Sequence, residues 1–174
     1  PNNLLTQSNT FSNAAWSTVT ATVTSGVTDP LGGTSAFTVT ANGANSQFYY
    51  TFASTAPAGA NAITSFWIRR RAGTGAISFY DMTGSVTAVT GSVTSSWAQV
   101  SVKKTIATGT VYAGLLLATS GDAVDIYAAT VSAVTYETTP RAQDQVITTT
   151  APFFGARFES TYNGSSWVPA GLLV

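Results

Sequence analysis

The chain has 174 residues, zero formal net charge, no Cys and no His, and only 8% of its residues are charged. This length fits one domain, and the absence of Cys excludes disulfides and thiolate metal sites. Seven basic residues against seven acidic ones leave no excess positive charge for phosphate, so no nucleic-acid partner is expected. The longest apolar run, VYAGLLLA at 111–118, is far shorter than the ~20 residues of a membrane-spanning helix, so no membrane partner is expected either.

Apolar and polar residues alternate along the chain between clusters of Gly, Pro, Asn and Asp, which predicts β-strands separated by turns. The first strand is predicted at 17–27, where Val19, Val23 and Val27 alternate with threonines. DPLGGTS at 29–35 then predicts a turn, because Pro presets φ and Gly permits positive φ. Further strands are predicted at 36–41, 47–53, 62–71, 76–81, 85–90, 97–105, 110–118 and 122–136.

About nine strands with no helical crossover between them predict an all-β fold, an antiparallel β-sandwich of jelly-roll type over residues 1–137. An immunoglobulin-like topology is the alternative. From 138 the sequence changes to TTPRAQDQVITTTAP, which is polar and carries two prolines. We therefore expect residues 138–174 to form an extended arm and an apolar C-terminal tail, with a small hairpin at NGSSW. The tail is too short for its own core, so it must pack on the sandwich or on a neighbouring chain.

The segment NLLTQSNTFSNAAWS at 3–17 carries a resemblance to a known family. It resembles an opening segment common in tailed-phage structural proteins, where NLL, polar residues and FSNAAW begin a jelly-roll domain similar to carbohydrate-binding modules. Three later segments fit the same family in order: SFWIRR at 65–70, SSWAQVSV at 95–102 and VDIYAATVSAV at 124–134. The resemblance covers residues 3 to about 136. It implies a phage structural protein with a jelly roll of the carbohydrate-binding type.

The last segment, ARFESTYNGSSWVPAGLLV at 156–174, resembles another part of these phage proteins. In the family it precedes the NLL motif, whereas here it comes last. This order favours a component repeated over a virion surface over a direct copy of a tail-fibre architecture.

Catalysis is not expected from this composition. Without His or Cys, neither a Ser-His nor a Cys-His arrangement can form. A glycosidase needs two carboxylates about 5 to 9.5 Å apart, but Asp122 and Asp125 are three residues apart on a predicted strand and therefore point to opposite faces. We predict that the protein is not an enzyme and has no cofactor. A structural calcium, which the resemblance implies, stays open, with Asp122, Asp125 and nearby carbonyls as its ligands.

Aromatic side chains can stack on sugar rings, and the alternation around Trp67 makes it the most interesting of them. In ITSFWIRRR, Trp67, Arg69 and Arg71 face outward if Phe66 and Ile68 fill the core. Such a row either stacks a sugar or pairs with carboxylates of a neighbouring protein. Trp16 and Trp97 are instead expected in the core. The remaining aromatic candidates are Trp167, Tyr49, Tyr50, Tyr80, Tyr112 and Tyr127.

Two functions are consistent with these features. The first is a phage virion structural protein, a capsid decoration or cement component at the virion surface. It binds neighbouring capsid or tail subunits and forms a homo-oligomer, with a trimer as the form that virion jelly rolls commonly adopt. Its contacts are expected at Arg69, Arg71 and the tail residues Phe153, Phe154 and Phe158. The alternative is a carbohydrate- or receptor-binding module of a tail fibre, which binds a host glycan through Trp67 and nearby tyrosines.

Overall fold

The computed structural model describes residues 2–53, 61–80, 84–105, 110–134, 153–154, 157–162 and 167–173. Most of these residues lie in strands, and one 3-10 turn is described at Thr90–Ser92. The strands are β1 (Asn2–Asn3), β2 (Trp16–Val19), β3 (Ala21–Val27), β4 (Ala36–Ala41), β5 (Ser46–Ala53), β6 (Asn61–Ala72), β7 (Ile77–Tyr80), β8 (Val86–Ala88), β9 (Ala98–Thr105), β10 (Thr110–Leu117), β11 (Ala123–Val134), β12 (Phe153–Phe154), β13 (Arg157–Tyr162) and β14 (Trp167–Leu173).

Ten of these strands form two five-stranded sheets. The first, here called the β10 sheet, has the order β2-β5-β10-β7-β8, and the second, the β11 sheet, has the order β3-β4-β11-β6-β9. Every pairing described within the two sheets is antiparallel. The predicted antiparallel sandwich of jelly-roll type is therefore confirmed.

The hydrophobic core lies between the two sheets, because each strand turns alternate side chains inward. Phe48 and Leu115 of the β10 sheet and Phe66 and Ile126 of the β11 sheet are all fully buried there. Burial of one such side chain stabilises a fold by about 1.5–3 kcal/mol. The core is therefore the main source of stability, and it fixes which face of each strand points outward.

The FSNAAW motif supplies two further core residues. Trp16 stacks on Phe48 with ring centroids 4.7 Å apart, and Phe11 meets Trp16 edge-on at 5.1 Å. The indole nitrogen of Trp16 donates a hydrogen bond to the Gln7 carbonyl at 2.7 Å, so its one polar atom is satisfied. The prediction that Trp16 packs in the core is confirmed.

The first predicted strand, 17–27, is interrupted at Thr20, which has a φ of 50°. Because a β-branched residue rarely adopts this conformation, the chain needs local support there. The Ser46 hydroxyl donates to the Thr20 carbonyl at 2.6 Å. The break sends β2 to the β10 sheet and β3 to the β11 sheet. As a result Val19 lies 42% exposed and does not share a half-buried face with Val23 and Val27.

Strand β11 carries an irregularity between Tyr127 and Thr130, where Ala128 has a φ of 48°. The backbone groups that this irregularity frees are bonded to the N-terminal segment. The Ala128 N–H donates to Asn9 Oδ1 and the Ala129 N–H donates to the Ser8 carbonyl, both at 2.7 Å. The polar residues between NLL and FSNAAW thus complete the hydrogen bonding of β11.

Toward the end of the chain, β12 pairs with β1, and β13 pairs with β14 in a separate antiparallel sheet. Strands β13 and β14 flank the NGSSW segment, where the sequence predicts a hairpin. Residues 135–152, which include most of the predicted arm, lie outside the described residues. The domain boundary at 137 and 138 therefore stays a prediction.

Candidate functional site

Charged residues are distributed unequally between the two sheets of the sandwich. The five strands of the β10 sheet contain no Asp, Glu, Lys or Arg. Those of the β11 sheet contain five basic residues and one acidic residue. The six are Arg69, Arg70, Arg71, Lys103, Lys104 and Asp125. The sandwich therefore presents one neutral and one basic sheet.

The outer side of the β10 sheet carries three tyrosines, Tyr49, Tyr80 and Tyr112, here called the tyrosine face. They point away from the core because their chain neighbours Phe48, Phe79 and Val111 are fully buried. The ring centroids of Tyr49 and Tyr80 lie 5.8 Å apart, those of Tyr80 and Tyr112 6.0 Å, and those of Tyr49 and Tyr112 6.1 Å. Tyr49 and Tyr112 are half-buried and Tyr80 is buried. The cluster therefore offers two accessible rings supported by a third.

Gly114 lies at the centre of this cluster. In the register of the sheet it stands opposite Tyr49 of β5, and the next residue of β10, Leu115, stands opposite Phe79 of β7. Between two core residues of β10, position 114 faces outward, where glycine presents no side chain. The three rings therefore surround a buried point of the sheet that has no side chain of its own.

The Tyr80 hydroxyl donates a hydrogen bond to Gln47 Oε1 at 2.8 Å. Burial raises the pKa of Tyr80 above its usual value, and the neighbouring Tyr49 and Tyr112 raise it further. Its hydroxyl is therefore protonated at neutral pH and acts as the donor to Gln47. This bond fixes Gln47 beside the rings, with its Oε1 on the Tyr80 hydroxyl and its amide nitrogen on the opposite side of the Gln47 amide.

The outer side of the β11 sheet centres on Asp125, which is fully buried. Its carboxylate accepts hydrogen bonds from Arg71 Nε at 2.6 Å, Arg69 Nε at 2.8 Å and the Thr38 hydroxyl at 2.6 Å. Burial alone would raise the pKa of Asp125, but the bonds from Arg71, Thr38 and Arg69 outweigh it, so the pKa is lowered. Asp125 is therefore ionised at neutral pH and shared by two arginines.

Arg69 is also held by an aromatic contact, because its guanidinium carbon lies 4.8 Å from the centroid of the Trp97 ring. This distance is within the range of a cation–π interaction. Arg69, Arg71, Asp125 and Trp97 are here called the arginine face.

The prediction that Trp97 packs in the core is wrong, because Trp97 is half-buried on this outer side. The reason is that Trp97 precedes β9 and lies beneath Arg69.

The alternation in ITSFWIRRR is confirmed, since Phe66 and Ile68 are fully buried and Trp67 lies on the outer side. Trp67 is half-buried, however, and packs alongside Trp97 against a small cluster that includes Tyr127. Its use as a platform for a ligand stays a prediction. The side chains of Phe153, Phe154 and Phe158 lie outside the described residues, so the contacts predicted for them also stay predictions.

Asp122 and Asp125 contact different arginines of β6: Asp122 lies near Arg70, whereas Asp125 bonds to Arg69 and Arg71. Because side chains alternate along β6, this agrees with the opposite orientations predicted for the two aspartates. Asp122 Oδ1 lies 4.0 Å from Arg70 Nη1 and accepts a bond from the Gly75 N–H at 3.3 Å. A calcium ion needs six to eight oxygen ligands, but here each carboxylate faces a guanidinium. Among the described residues, no group of three or more candidate side chains could hold a metal ion. Asp122 and Asp125 therefore do not fit the calcium site suggested for them.

The proximity of the three tyrosines in the tyrosine face was not predicted from the sequence. Alternation alone places Tyr49, Tyr80 and Tyr112 on outer faces, and this signal was present in QFYYT, ISFY and VYAG. Their proximity depends on the strand order β5-β10-β7, which joins strands that are distant in sequence. No local pattern specifies that order.

No protein-family model matches the sequence, and no curated protein matches it. Among solved structures, the CBM22-1 xylan-binding domain of Paenibacillus barcinonensis Xyn10C is similar, with a TM-score of 0.52 and 12% identity. The match covers 69% of this chain and 86% of that domain. A Clostridium thermocellum xylanase 10B structure, with CBM22-1 and GH10 modules complexed with xylohexaose, gives a TM-score of 0.52 at 13% identity. That match covers 82% of this chain and 29% of the other.

The enzymatically active domain of tailspike protein 4 from bacteriophage CBA120 is also similar, with a TM-score of 0.52 and 15% identity. This chain is covered over 76% of its length but spans only 21% of that domain. At such low identities the likeness is one of fold. The chain thus has a β-sandwich like that of carbohydrate-binding modules. Among its described residues, no helix is long and apolar enough to cross a membrane.

Proposed function

We propose that this protein is a carbohydrate-binding module that holds a neutral glycan on its tyrosine face and does not modify it. The observation that carries the proposal is the grouping of Tyr49, Tyr80 and Tyr112 around Gly114 on a sheet without charged residues. The similarity of fold to carbohydrate-binding modules supports it.

Aromatic rings bind sugars because the apolar C–H face of a pyranose packs on a ring face, while polar groups fix the orientation of the hydroxyls. Tyr49 and Tyr112 provide the accessible rings. Exposed Ser17 and Thr51, which flank Tyr49 on β2 and β5, provide hydroxyls on the same side of the sheet. Because no ionised side chain belongs to these strands, the face suits an uncharged sugar.

Gln47 is the group best placed to select sugar orientation. Its Oε1 already accepts the hydrogen bond from Tyr80, so its amide nitrogen is the side that can donate to a sugar hydroxyl. An amide fixed in this way loses little conformational freedom when a ligand binds. We therefore include Gln47 with the three tyrosines in the proposed site.

The resemblance of NLLTQSNTFSNAAWS to tailed-phage proteins and the fold shared with a tailspike domain support a place on a phage tail protein. The similar structures described above favour this alternative over a capsid decoration or cement role. Binding to virion subunits and assembly into a homo-oligomer remain part of the proposal. A host surface glycan is then the natural ligand class.

The proposal is tested by titrating the full chain with neutral oligosaccharides in a calorimeter, with xylohexaose as the first probe and a neutral glycan array as the wider search. Tyr112→Ala should weaken the binding of any glycan found by about tenfold, because one stacking ring is lost. Tyr112→Phe keeps the ring and should bind nearly as well.

Trp67→Ala is the matched comparison on the other sheet, and it should leave neutral-glycan binding unchanged. Loss of binding in Trp67→Ala with normal binding in Tyr112→Ala would show that the glycan binds at Trp67, the residue that the sequence predicts as the platform. Absence of binding across the whole array, by a protein that circular dichroism shows to be folded, would reject the carbohydrate-binding function.

A further inference from the structure

We infer that the arginine face is a second binding site, on the opposite sheet from the tyrosine face, and that it takes the carboxylate of an acidic polysaccharide such as a polyuronate. The site consists of Arg69 and Arg71, with Trp97 beneath Arg69 and Asp125 between the two arginines. It does not depend on the tyrosine face, so either site can fail experimentally without the other.

The charge balance of the arginine face leaves positive charge for a ligand. Arg70 is paired separately with Asp122, so the charged groups of the face are Arg69, Arg71 and Asp125. At the centre of the face, the single negative charge of Asp125 is shared by two guanidinium groups. One positive charge therefore remains unneutralised there, and it attracts an anion.

The donors that an anion needs are already in position. Both arginines bond Asp125 through Nε, and within the described residues no other hydrogen bond or ion pair holds their terminal nitrogens. The Arg69 side chain is 28% exposed and that of Arg71 46% exposed, so both reach solvent. The terminal nitrogens of a guanidinium form a planar fork that matches a carboxylate with two parallel bonds. Because Asp125 and Trp97 already restrain Arg69, binding costs little further side-chain entropy.

The surroundings of the arginines favour a polysaccharide over a protein surface. Exposed Thr22 and Thr24 of β3 stand beside Thr40 and Thr38 of β4, on the same side of the sheet as Asp125. A protein interface needs an apolar centre that excludes water. The exposed large apolar residues described in this chain are Val19, Leu31 and Val86, and none of them lies in a strand of the β11 sheet. The two tryptophans on this side, Trp67 and Trp97, are half-buried, and Arg69 lies over the Trp97 ring. A hydroxyl-rich rim beside a guanidinium instead matches a sugar that carries both hydroxyls and a carboxylate.

The test titrates the full chain with three probes: tetragalacturonate, neutral galactotetraose and tetraglutamate. We expect tetragalacturonate to bind, with an affinity that falls as salt is raised. Arg71→Gln should weaken this binding by at least about tenfold, since a charge-assisted bidentate contact is lost. Arg71→Lys keeps the charge but not the two parallel donors, so its affinity for tetragalacturonate should lie between those of the unaltered chain and Arg71→Gln. Lys104→Gln removes a charge from the same sheet at a strand end and should bind as the unaltered chain does.

Arg69 keeps its bond to Asp125 in Arg71→Gln, and a thermal unfolding curve shows whether the variant is folded. Equal binding of tetragalacturonate by folded Arg71→Gln and the unaltered chain would overturn the proposal. So would equally tight binding of tetraglutamate, which would point to an acidic protein partner, or loss of uronate binding in Tyr112→Ala, which would point to a single site. Unchanged uronate binding in Tyr112→Ala supports two independent sites.

Discussion

Gly114 of β10 lies opposite Tyr49 of β5 so closely that no other residue fits at position 114. A Cβ built there would lie 2.6 Å from the Tyr49 Cα and 2.1 Å from the Phe48 carbonyl oxygen. Both contacts are with backbone, which cannot rotate away, and the φ of Gly114 is 155°, a conformation that side chains disfavour. The tyrosine face and the close approach of its two central strands thus depend on the same glycine.

Gly114→Ala should therefore destabilise the protein by about 1–3 kcal/mol, the usual cost of overpacking a well-packed site. It should also weaken neutral-glycan binding, because β5 must move and take Tyr49 with it. Urea unfolding measures the first effect, and calorimetric titration of the folded variant measures the second.

Gly91→Ala is the matched control, since a Cβ at Gly91 meets nothing within 4 Å. It should leave both the unfolding free energy and glycan binding nearly unchanged. Equal stability of the two variants would show that β5 and β10 tolerate a side chain between them.

The sandwich could be predicted from the sequence because a strand with one buried face alternates apolar and polar residues along its length. The outward direction of Arg69 and Arg71 followed from the same rule applied to Phe66 and Ile68. The break at Thr20 was missed because threonine favours extended backbone and carries no turn signal. The tyrosine face was missed for another reason: its members come from three strands whose pairing is set by packing across the whole core.

Asp125→Asn should destabilise the fold by about 1–3 kcal/mol at neutral pH, because the network loses its negative charge and one of its two acceptor oxygens. Arg69 and Arg71 would then face a neutral amide and each other. Thr38→Val removes only one of the three bonds to Asp125 and should cost less. Urea unfolding of the three proteins at pH 7 provides the comparison.

The stability difference between the unaltered chain and Asp125→Asn should depend on pH with a defined sign. Since folding lowers the pKa of Asp125, its contribution is fully present above the pKa of the unfolded chain, about 3.9. It is lost as the pH falls through the lower pKa of the folded state. The unfolding free energies of the two proteins should therefore converge in acid. A difference that stays constant as the pH falls well below the pKa of the Asp125 carboxyl in the unfolded chain would contradict the role given to Asp125.

Asp29 stabilises the predicted turn at 29–35 by accepting hydrogen bonds from three backbone N–H groups. Its Oδ1 accepts from Leu31 at 2.9 Å and Gly33 at 3.0 Å, and its Oδ2 accepts from Ser35 at 3.1 Å. Burial raises the pKa of Asp29, but the bonds from Ser35, Leu31 and Gly33 outweigh it, so the pKa is lowered. Asp29→Ala should lower the urea midpoint at neutral pH, and by less at acid pH. Leu31→Ala, in the same turn at an 81% exposed position, should not lower it.

Removal of residues 138–174 should leave the sandwich folded, because all ten strands of its two sheets lie before residue 135. Strand β1 would lose its pairing with β12, but Asn3 also binds the sheet through its side chain. Its Oδ1 accepts from the Val131 N–H at 3.1 Å and its Nδ2 donates to the Ala129 carbonyl at 3.1 Å. The shortened chain should therefore unfold cooperatively and bind neutral glycan as the full chain does.

The same truncation tests whether the tail contacts a second copy of the chain. Light scattering should give a multiple of the monomer mass for the full chain and a monomer after truncation, if the tail supplies the proposed homo-oligomer contact. A full-length monomer would remove the oligomer from the proposal, and an oligomer that survives truncation would place the contact on the sandwich. Loss of cooperative unfolding on truncation would instead show that the residues after 137 belong to the folding unit, against the predicted boundary.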